Sequence, residues 1–287
     1  MITEDSAYAD ELDCAIDAAK RAGAVVRDLY ERSTAATYVK GDGSPVTDAD
    51  LAADRIIRGA LRSSYPGDAI LTEEGVDNQP RLDATRCWLV DPIDGTKQFV
   101  NRTGEFDILI ALVVAGRPVV GVSFQPTTGL LLAATDGGGA FVQRDSERLP
   151  LRLTPAASPP RLVTSYWLGA PASMPVLSRV AERLGAAPPH ISELGIYTRG
   201  FVPPGNQYDA LIGFGATGTE TMGWEWDVAV SDLVIHEAGG RVTDLSGQVL
   251  RYNKPNPRNT GGLVLTVDPA THDRVVAAIG PEIGQPV

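Results

Sequence analysis

The sequence predicts an α+β fold in which helices and mainly antiparallel strands stack in layers. Three observations predict it. Two amphipathic helical patterns open the chain, and a run of short strands joined by tight turns follows. The second half then mixes helices and strands without the strict alternation of a doubly wound parallel sheet.

The elements follow in order. From Ser6 to Arg32, apolar or small residues recur at Leu12, Ala15, Ile16, Ala19, Gly23, Val26 and Tyr30, the steps of three and four that give a helix one core-facing stripe. Lys40-Gly41-Asp42-Gly43-Ser44-Pro45 punctuates the chain as a loop. A second helix is predicted from Asp48 to Arg62, with Leu51, Ile56, Ile57 and Leu61 on its apolar face. Ala69-Ile70-Leu71 reads as a short strand leading into Glu73-Glu74, and Cys87–Val90 as a strand ending at Asp91. Thr96 to Val100 reads as a short helix start. Strands are expected at Ile108–Val114, Val119–Phe124, Leu130–Ala134 and Ala140–Val142. The polar, proline-bearing stretch from Arg144 to Pro160 divides two halves, expected at 1–146 and 147–287. In the second half, strands are predicted at Arg161–Thr164, Ala210–Phe214, Arg241–Thr243 and Leu263–Val267. Helices are predicted at Met174–Leu184, Trp226–Glu237 and Ala270–Ile279.

The chain has 287 residues, 43% hydrophobic and 21% charged, which is enough apolar content to bury a sizeable core. Its formal net charge of −11 disfavours nucleic-acid polymers and anionic membranes as partners. A small phosphate remains compatible, provided that cations reverse the sign locally. The two cysteines, Cys14 and Cys87, stand in no metal-binding spacing and predict no disulfide framework. The acidic start and the lack of a long uncharged apolar run lead us to expect a cytoplasmic protein.

Chemistry concentrates in WLVDPIDGT, residues 88–96. An apolar strand there delivers Asp91 and Asp94 at the two ends of a turn stiffened by Pro92. Hard cations such as Mg²⁺ want several oxygen ligands, and two carboxylates at a strand end begin such a set. Gly95-Thr96 then opens a helix whose free N–H groups suit a phosphate. A lone DxxD is most often only a turn; the apolar strand before it and the Gly-Thr after it favour function. The adjacent Glu73 and Glu74 repel each other unless a cation relieves them, and one could ligate while the other polarises a water. Asp227 at a helix start reads by default as a cap, and Asp50 as an ordinary acid in a first turn. The three histidines fit a mechanism that does not use histidine.

Taken jointly, these segments resemble the inositol monophosphatase superfamily of magnesium-dependent, lithium-sensitive phosphatases. The matching segments are SPVTDAD at 44–50, ILTEEG at 70–75, WLVDPIDGTKQF at 88–99 and WEWDVAVSDLVIHEAGGRVTD at 224–244. Within it, the nearer likeness is to the CysQ-like 3′(2′),5′-bisphosphate nucleotidases, through DGTKQFVNRTGEF at 94–106 and LRYNKPNPRNTGG at 250–262.

The resemblance implies a layered αβαβα sugar-phosphatase fold with the metal motifs in the first half. Glu73, Asp91, Asp94 and the Ile93 carbonyl are then expected to hold metal, Asp227 to hold a second ion with Asp94, and Asp50 to serve a weaker third site. Glu74 and Thr96 are expected to orient the attacking water, and Gly95 and Thr96 to give N–H groups to the phosphate. Two or three Mg²⁺ ions, replacement by Mn²⁺, inhibition by Li⁺ and a homodimer belong to the same expectation. The likeness weakens at Ser192-Glu193-Leu194-Gly195, where relatives carry a small-residue motif, and at Tyr197-Thr198-Arg199, where CysQ-like proteins place a lysine. Glu220 falls where inositol phosphatases bind a sugar hydroxyl, although a solvated loop acid is the plainer reading. The substrate expected first is adenosine 3′,5′-bisphosphate or its sulfated relative. Inositol or another sugar or cyclitol phosphate comes second, and histidinol phosphate third. A catalytically silent metal- or nucleotide-binding protein is the alternative from another class.

Overall fold

The computed structural model describes residues 6–41, 45–77, 79–145, 147–168, 172–192, 198–202, 207–214 and 223–283. In chain order the elements begin with α1 (Ala9–Arg32), the hairpin strands β1 (Thr37–Val39) and β2 (Pro45–Thr47), and α2 (Asp48–Ser64). They continue with β3 (Ala69–Thr72), β4 (Arg86–Asp94), the short α3 (Thr96–Val100), β5 (Asp107–Val114), β6 (Arg117–Phe124), β7 (Leu131–Thr135), β8 (Gly139–Arg144) and β9 (Glu147–Leu151). The second half comprises β10 (Leu162–Ser165), α4 (Met174–Arg183), β11 (His190–Ser192), β12 (Ala210–Gly213), α5 (Glu225–Glu237), β13 (Arg241–Thr243), β14 (Leu263–Thr266) and α6 (Pro269–Ile279).

Strands β3 to β9 lie in sequence order in one sheet, antiparallel except for the parallel pair β3–β4. The other sheet has the order β11-β10-β12-β14-β13, mixing parallel and antiparallel pairs. Alternation along β4 and β5 explains the layering. Trp88, Val90, Ile108, Ile110 and Leu112 pack with α1 and α2, whereas Cys87, Leu89, Leu109, Ala111 and Val113 face α5. Helix α5 is apolar nearly all round because it is covered on both sides, by the larger sheet and by the smaller one. Helices α4 and α6 cover the far face of the smaller sheet. The result is the αβαβα layering that the resemblance implied.

Close approach fixes the first interface. A Cβ on Gly23 of α1 would lie 2.4 Å from the Phe124 ring, so only glycine lets the helix settle on β6 there. The central layer is fastened by charge. Arg117 donates to Asp232 of α5 at 2.8 and 3.2 Å and to the Leu250 carbonyl at 2.6 Å, and Tyr252 Oη donates to Asp232 at 3.0 Å.

The division expected after residue 146 falls just before β9. β9 pairs with β8 along its whole length, so the chain changes sheets only between Leu151 and Leu162. The strand reads as linker because it is an exposed edge, with Glu147, Arg148 and Pro150 blunting it. Strand β4 also runs three residues further than expected, through Asp94. Among the described residues, no helix is long and apolar enough to cross a membrane.

Removing the Arg117 charge leaves Asp232, only 1% exposed, with Tyr252 as its remaining partner. Arg117→Met should therefore lower unfolding stability by about 3 kcal/mol. Urea titration by circular dichroism measures it; a loss below about 0.5 kcal/mol would show that this pair does not fasten the layer.

Candidate metal-dependent active site

The site begins with a parity problem on β4. Residues three apart on a regular strand face opposite ways, which would separate Asp91 from Asp94. The register slips between them: Asp91 pairs with Leu109 and Asp94 with Asp107, three residues against two. This bulge turns both aspartates toward the α5 side, where Leu109 already points. Asp91 Oδ1 accepts the Ile93 amide at 3.0 Å, which fixes the turn from within. Gly95 follows at φ 100°, and a Cβ there would lie 3.0 Å from the Glu105 carbonyl and 3.3 Å from Phe106 Cα. Glycine is thus needed on both counts to let α3 leave the strand.

The other acids arrive from three elements. Glu73 and Glu74 follow the tip of β3, and the Glu73 amide donates to the Val90 carbonyl at 3.1 Å. Asp227 stands in the first turn of α5, where its Oδ2 accepts the Trp224 amide at 2.7 Å. Asp227 is thus not the N-cap that the sequence suggested: Trp224 holds that position, Asp227 bonds back to it from the third residue of the helix, and the same carboxylate also meets the field of Asp94 and Glu73. Asp50 is fully buried in the first turn of α2. Its Oδ2 accepts from the Thr47 amide (2.8 Å) and hydroxyl (2.5 Å), and its Oδ1 accepts the Thr96 hydroxyl at 3.0 Å. Thr96 Oγ1 also lies 3.2 Å from the Ile93 carbonyl. Of the remaining sequence expectations, Glu193, Gly195, Tyr197 and Glu220 lie outside the described residues.

The electrostatics of the cluster are those of crowded anions. Burial first, then Glu73, Asp94 and Asp227, hold the Asp91 carboxyl well above the usual range. Burial, Asp107 and Glu73 push Asp94 up to about 7, with Arg199 opposing. Burial and Asp94 raise Asp227 likewise. Burial raises Glu74 to about 7 although Lys40 pulls it down.

Two cations were missed by sequence reasoning. Lys40 Nζ lies 2.6 Å from both Glu73 Oε1 and Glu74 Oε1. Burial alone would weaken its hold on the proton, but the two glutamates outweigh that and raise its pKa. Arg199 pairs with Glu105 at 2.6 Å and with Asp107, which also accepts the Ser123 hydroxyl at 2.9 Å. Lys40 was visible as a lone cation beside the glycine loop, and Arg199 as the residue standing where a lysine was expected. Neither carried a spacing that pointed to its partners.

The donor set is all oxygen, anionic and short of positive charge, which fits a hard divalent cation rather than a thiophilic one. Among the described residues no three acidic, histidine or cysteine side chains are already drawn into a ligand set for one ion; the cation that Glu73 and Glu74 meet is Lys40.

A layered α+β chain with such a carboxylate cluster at the end of an inner strand of the larger sheet has the plan of a metal-dependent phosphatase. A model of the inositol monophosphatase family matches residues 8–282, and the chain belongs to that family. It is a phosphatase, and magnesium dependence is general in the family. It is 34% identical over 241 residues to a 3′(2′),5′-bisphosphate nucleotidase CysQ from Aggregatibacter actinomycetemcomitans, covering 83% of this chain and 86% of that one. It is 31% identical to the Nus factor SuhB of Pasteurella multocida, over 82% of this chain and 85% of that one. The crystal structure of CysQ from Bacteroides thetaiotaomicron superposes with a TM-score of 0.73 at 26% identity, over 91% of this chain and 98% of that one.

Protons and metal should compete here. Glu74 and Asp94 titrate near 7 in the folded chain and near 4 when unfolded, so between those values the folded state holds more protons. The contribution of Glu74 and Asp94 to metal-free stability therefore falls as pH rises from about 4 to 7 and stays low above it. Added Mg²⁺ should raise Tm most at pH 8 and progressively less toward pH 5.5. Equal gains at both ends, measured by scanning fluorimetry with and without MgCl₂, would contradict this.

Proposed function

We propose that the chain is a 3′(2′),5′-bisphosphate nucleotidase that hydrolyses the 3′-phosphate of adenosine 3′,5′-bisphosphate to leave AMP. What carries the hydrolytic reading is the meeting of Asp91, Asp94, Glu73 and Asp227 in one mutual field, beside Thr96 and Glu74. The substrate class is supported by residues 94–106 and 250–262 and by the identity with the nucleotidase relative.

In this reading Glu73, Asp91, Asp94, Asp227 and the Ile93 carbonyl would hold Mg²⁺. When bound, Mg²⁺ supplies the charge that neutralises the phosphate oxygens and the departing alkoxide and makes water more acidic. The chain's own part is to position groups and handle protons. The single hydroxyl hydrogen of Thr96 is committed to Asp50 or to the Ile93 carbonyl, so its oxygen presents a lone pair to a water. Asp50, with both oxygens engaged, acts through Thr96 instead of as a separate ion site. Glu74, near 7, is matched to accept a proton from the attacking water at neutral pH. The Gly95 and Thr96 amides would donate to the phosphate in this reading. Exchange of Mn²⁺ for Mg²⁺, inhibition by Li⁺, a homodimer and a cytoplasmic location belong to the same reading.

Thr96→Ala should lower kcat about 10²-fold while KM changes by less than about threefold, because orientation of the water matters in the transition state. Steady-state kinetics with saturating MgCl₂ check it, and a raised KM with kcat intact contradicts the role. Phosphate release from adenosine 3′,5′-bisphosphate should exceed that from inositol 1-phosphate in kcat/KM. A preference of about tenfold for the cyclitol ester, some 1.4 kcal/mol, would instead make the chain an inositol-type phosphatase.

A further inference from the structure

One hydrogen-bonded chain outside the acidic cluster ties together two elements that supply it. It starts four residues beyond Glu73, at Asp77, which grips Arg81 through two bonds of 2.9 and 2.7 Å. Arg81 is 3% exposed and exchanges a reciprocal pair with Asn253: its Nη1 donates to Asn253 Oδ1 at 2.8 Å, and Asn253 Nδ2 donates to the Arg81 carbonyl at 2.9 Å. Asn253 sits at φ 58°, a left-handed conformation that asparagine tolerates better than most residues. Its own amide donates to Glu225 Oε2 at 2.6 Å. The fully buried Glu225 carboxylate also accepts the Lys254 amide at 3.0 Å and pairs with Lys254 Nζ at 2.7 Å.

Glu225 opens α5, two residues before Asp227. Further bonds seat that helix start on the same loop: the Glu225 amide donates to the Pro257 carbonyl at 2.8 Å, the Asn259 amide to the Gly223 carbonyl at 3.0 Å, and Asn259 Nδ2 to the Trp224 carbonyl at 3.2 Å. Lys254 Nζ reaches Asn259 Oδ1 at 3.1 Å, closing the loop on itself. None of these groups belongs to the acidic cluster. Their joint effect is to fix the Glu73–Asp77 segment relative to the first turn of α5, with the Asn253 side chain bonding both the guanidinium and the carbonyl of Arg81 while its backbone bonds to Glu225.

We propose that Asn253 is a positioning residue that sets the separation of Glu73 from Asp227 and thereby the affinity for Mg²⁺. The inference rests on the reading of those acids as magnesium ligands. Groups one step behind metal ligands commonly change metal affinity 10–100-fold when removed, because mispositioned carboxylates must reorganise to bind. Residues 253–259 thus brace two walls of the site.

The test is calorimetric titration of MgCl₂ into the full chain, alongside kinetics. Asn253→Gly keeps the left-handed backbone accessible and deletes both side-chain bonds; it should raise the Mg²⁺ dissociation constant about 10-fold or more. The half-saturating Mg²⁺ for turnover should rise in parallel, while substrate KM at saturating Mg²⁺ stays within about threefold. Asn253→Asp keeps the acceptor for Arg81 and should recover most of the affinity. Lys254→Met leaves the Arg81–Asn253 pair intact and loosens only the α5 side; it should shift Mg²⁺ affinity in the same direction, and it serves should Asn253→Gly not fold. Wild-type Mg²⁺ affinity in the folded variants, or a change confined to substrate KM, overturns the proposal. A wild-type chain that takes up no Mg²⁺ would overturn the magnesium reading itself, so the two failures are distinct.

Discussion

The structure is organised around the cost of burying like charges at the end of one strand. Asp91, Asp94, Asp227, Glu73 and Glu74 come from β4, α5 and the tip of β3 into a common field. Lifting Glu74 from an ordinary 4.5 to about 7 corresponds to at most about 3 kcal/mol, and to less once solvent screening of this half-buried group is counted. That upper value is a large share of the net stability of a typical domain, about 5–15 kcal/mol. A ligand present at about 100 times its dissociation constant returns about 2.7 kcal/mol, so a divalent ion is of the right size to offset one such group. The site is stable as a fold and strained as a charge distribution, which is the condition under which a cation binds tightly without prior rearrangement of the backbone.

What keeps the acids together against their repulsion is backbone geometry fixed elsewhere. The bulge in β4 is backed by the larger sheet, whose two faces are covered by α1, α2 and α5. Asp227 is carried by a helix sandwiched between two sheets and fastened by the Arg117–Asp232–Tyr252 group, so it cannot swing away without exposing core. Glu73 rests on the Val90 carbonyl through its amide. Asp91, Asp227, Glu73 and Glu74 each have one oxygen held, by the Ile93 amide, the Trp224 amide or Lys40. Asp50 is the exception: its oxygens are spent on Thr47 and Thr96.

The acids were legible in the sequence because each sits at a place with a local signature. Asp91 and Asp94 end an apolar strand, Glu73 and Glu74 follow a strand tip, and Asp227 opens an apolar helix. Their partners were not legible, because their meaning is set by long-range contact. Lys40 meets Glu73 across 33 residues, Arg199 meets Asp107 across 92, and Asn253 meets Arg81 across 172. The parity slip at residues 91–94 was hidden as well, since it depends on the pairing with β5 and not on Pro92 alone. β9 failed for a different reason: an edge strand built to resist further pairing carries the same charges and proline as a linker.

Charge also connects the chain's overall acidity to its chemistry. The residues around the site set Asp50, Glu73, Glu74, Asp91, Asp94, Asp107 and Asp227 against Lys40 and Arg199. Seven carboxylates against two cations present a negative wall, on a molecule whose net charge is already −11. A phosphate ester approaching that wall is repelled over the reach of the screening length, about 8 Å at physiological ionic strength. Protonation of the acids whose carboxyls burial pushes up lessens the wall, but each proton cancels one charge where each divalent ion cancels two. Entry of an anionic substrate is therefore coupled to metal occupancy by sign alone, before any contact forms. The two fixed cations are too few to reverse the field, but they are placed where they can keep Glu74 and Asp107 from joining it. Acidity at the surface and acidity at the site then act together, since a chain that repels anions everywhere else admits a phosphate most readily where metal has changed the sign.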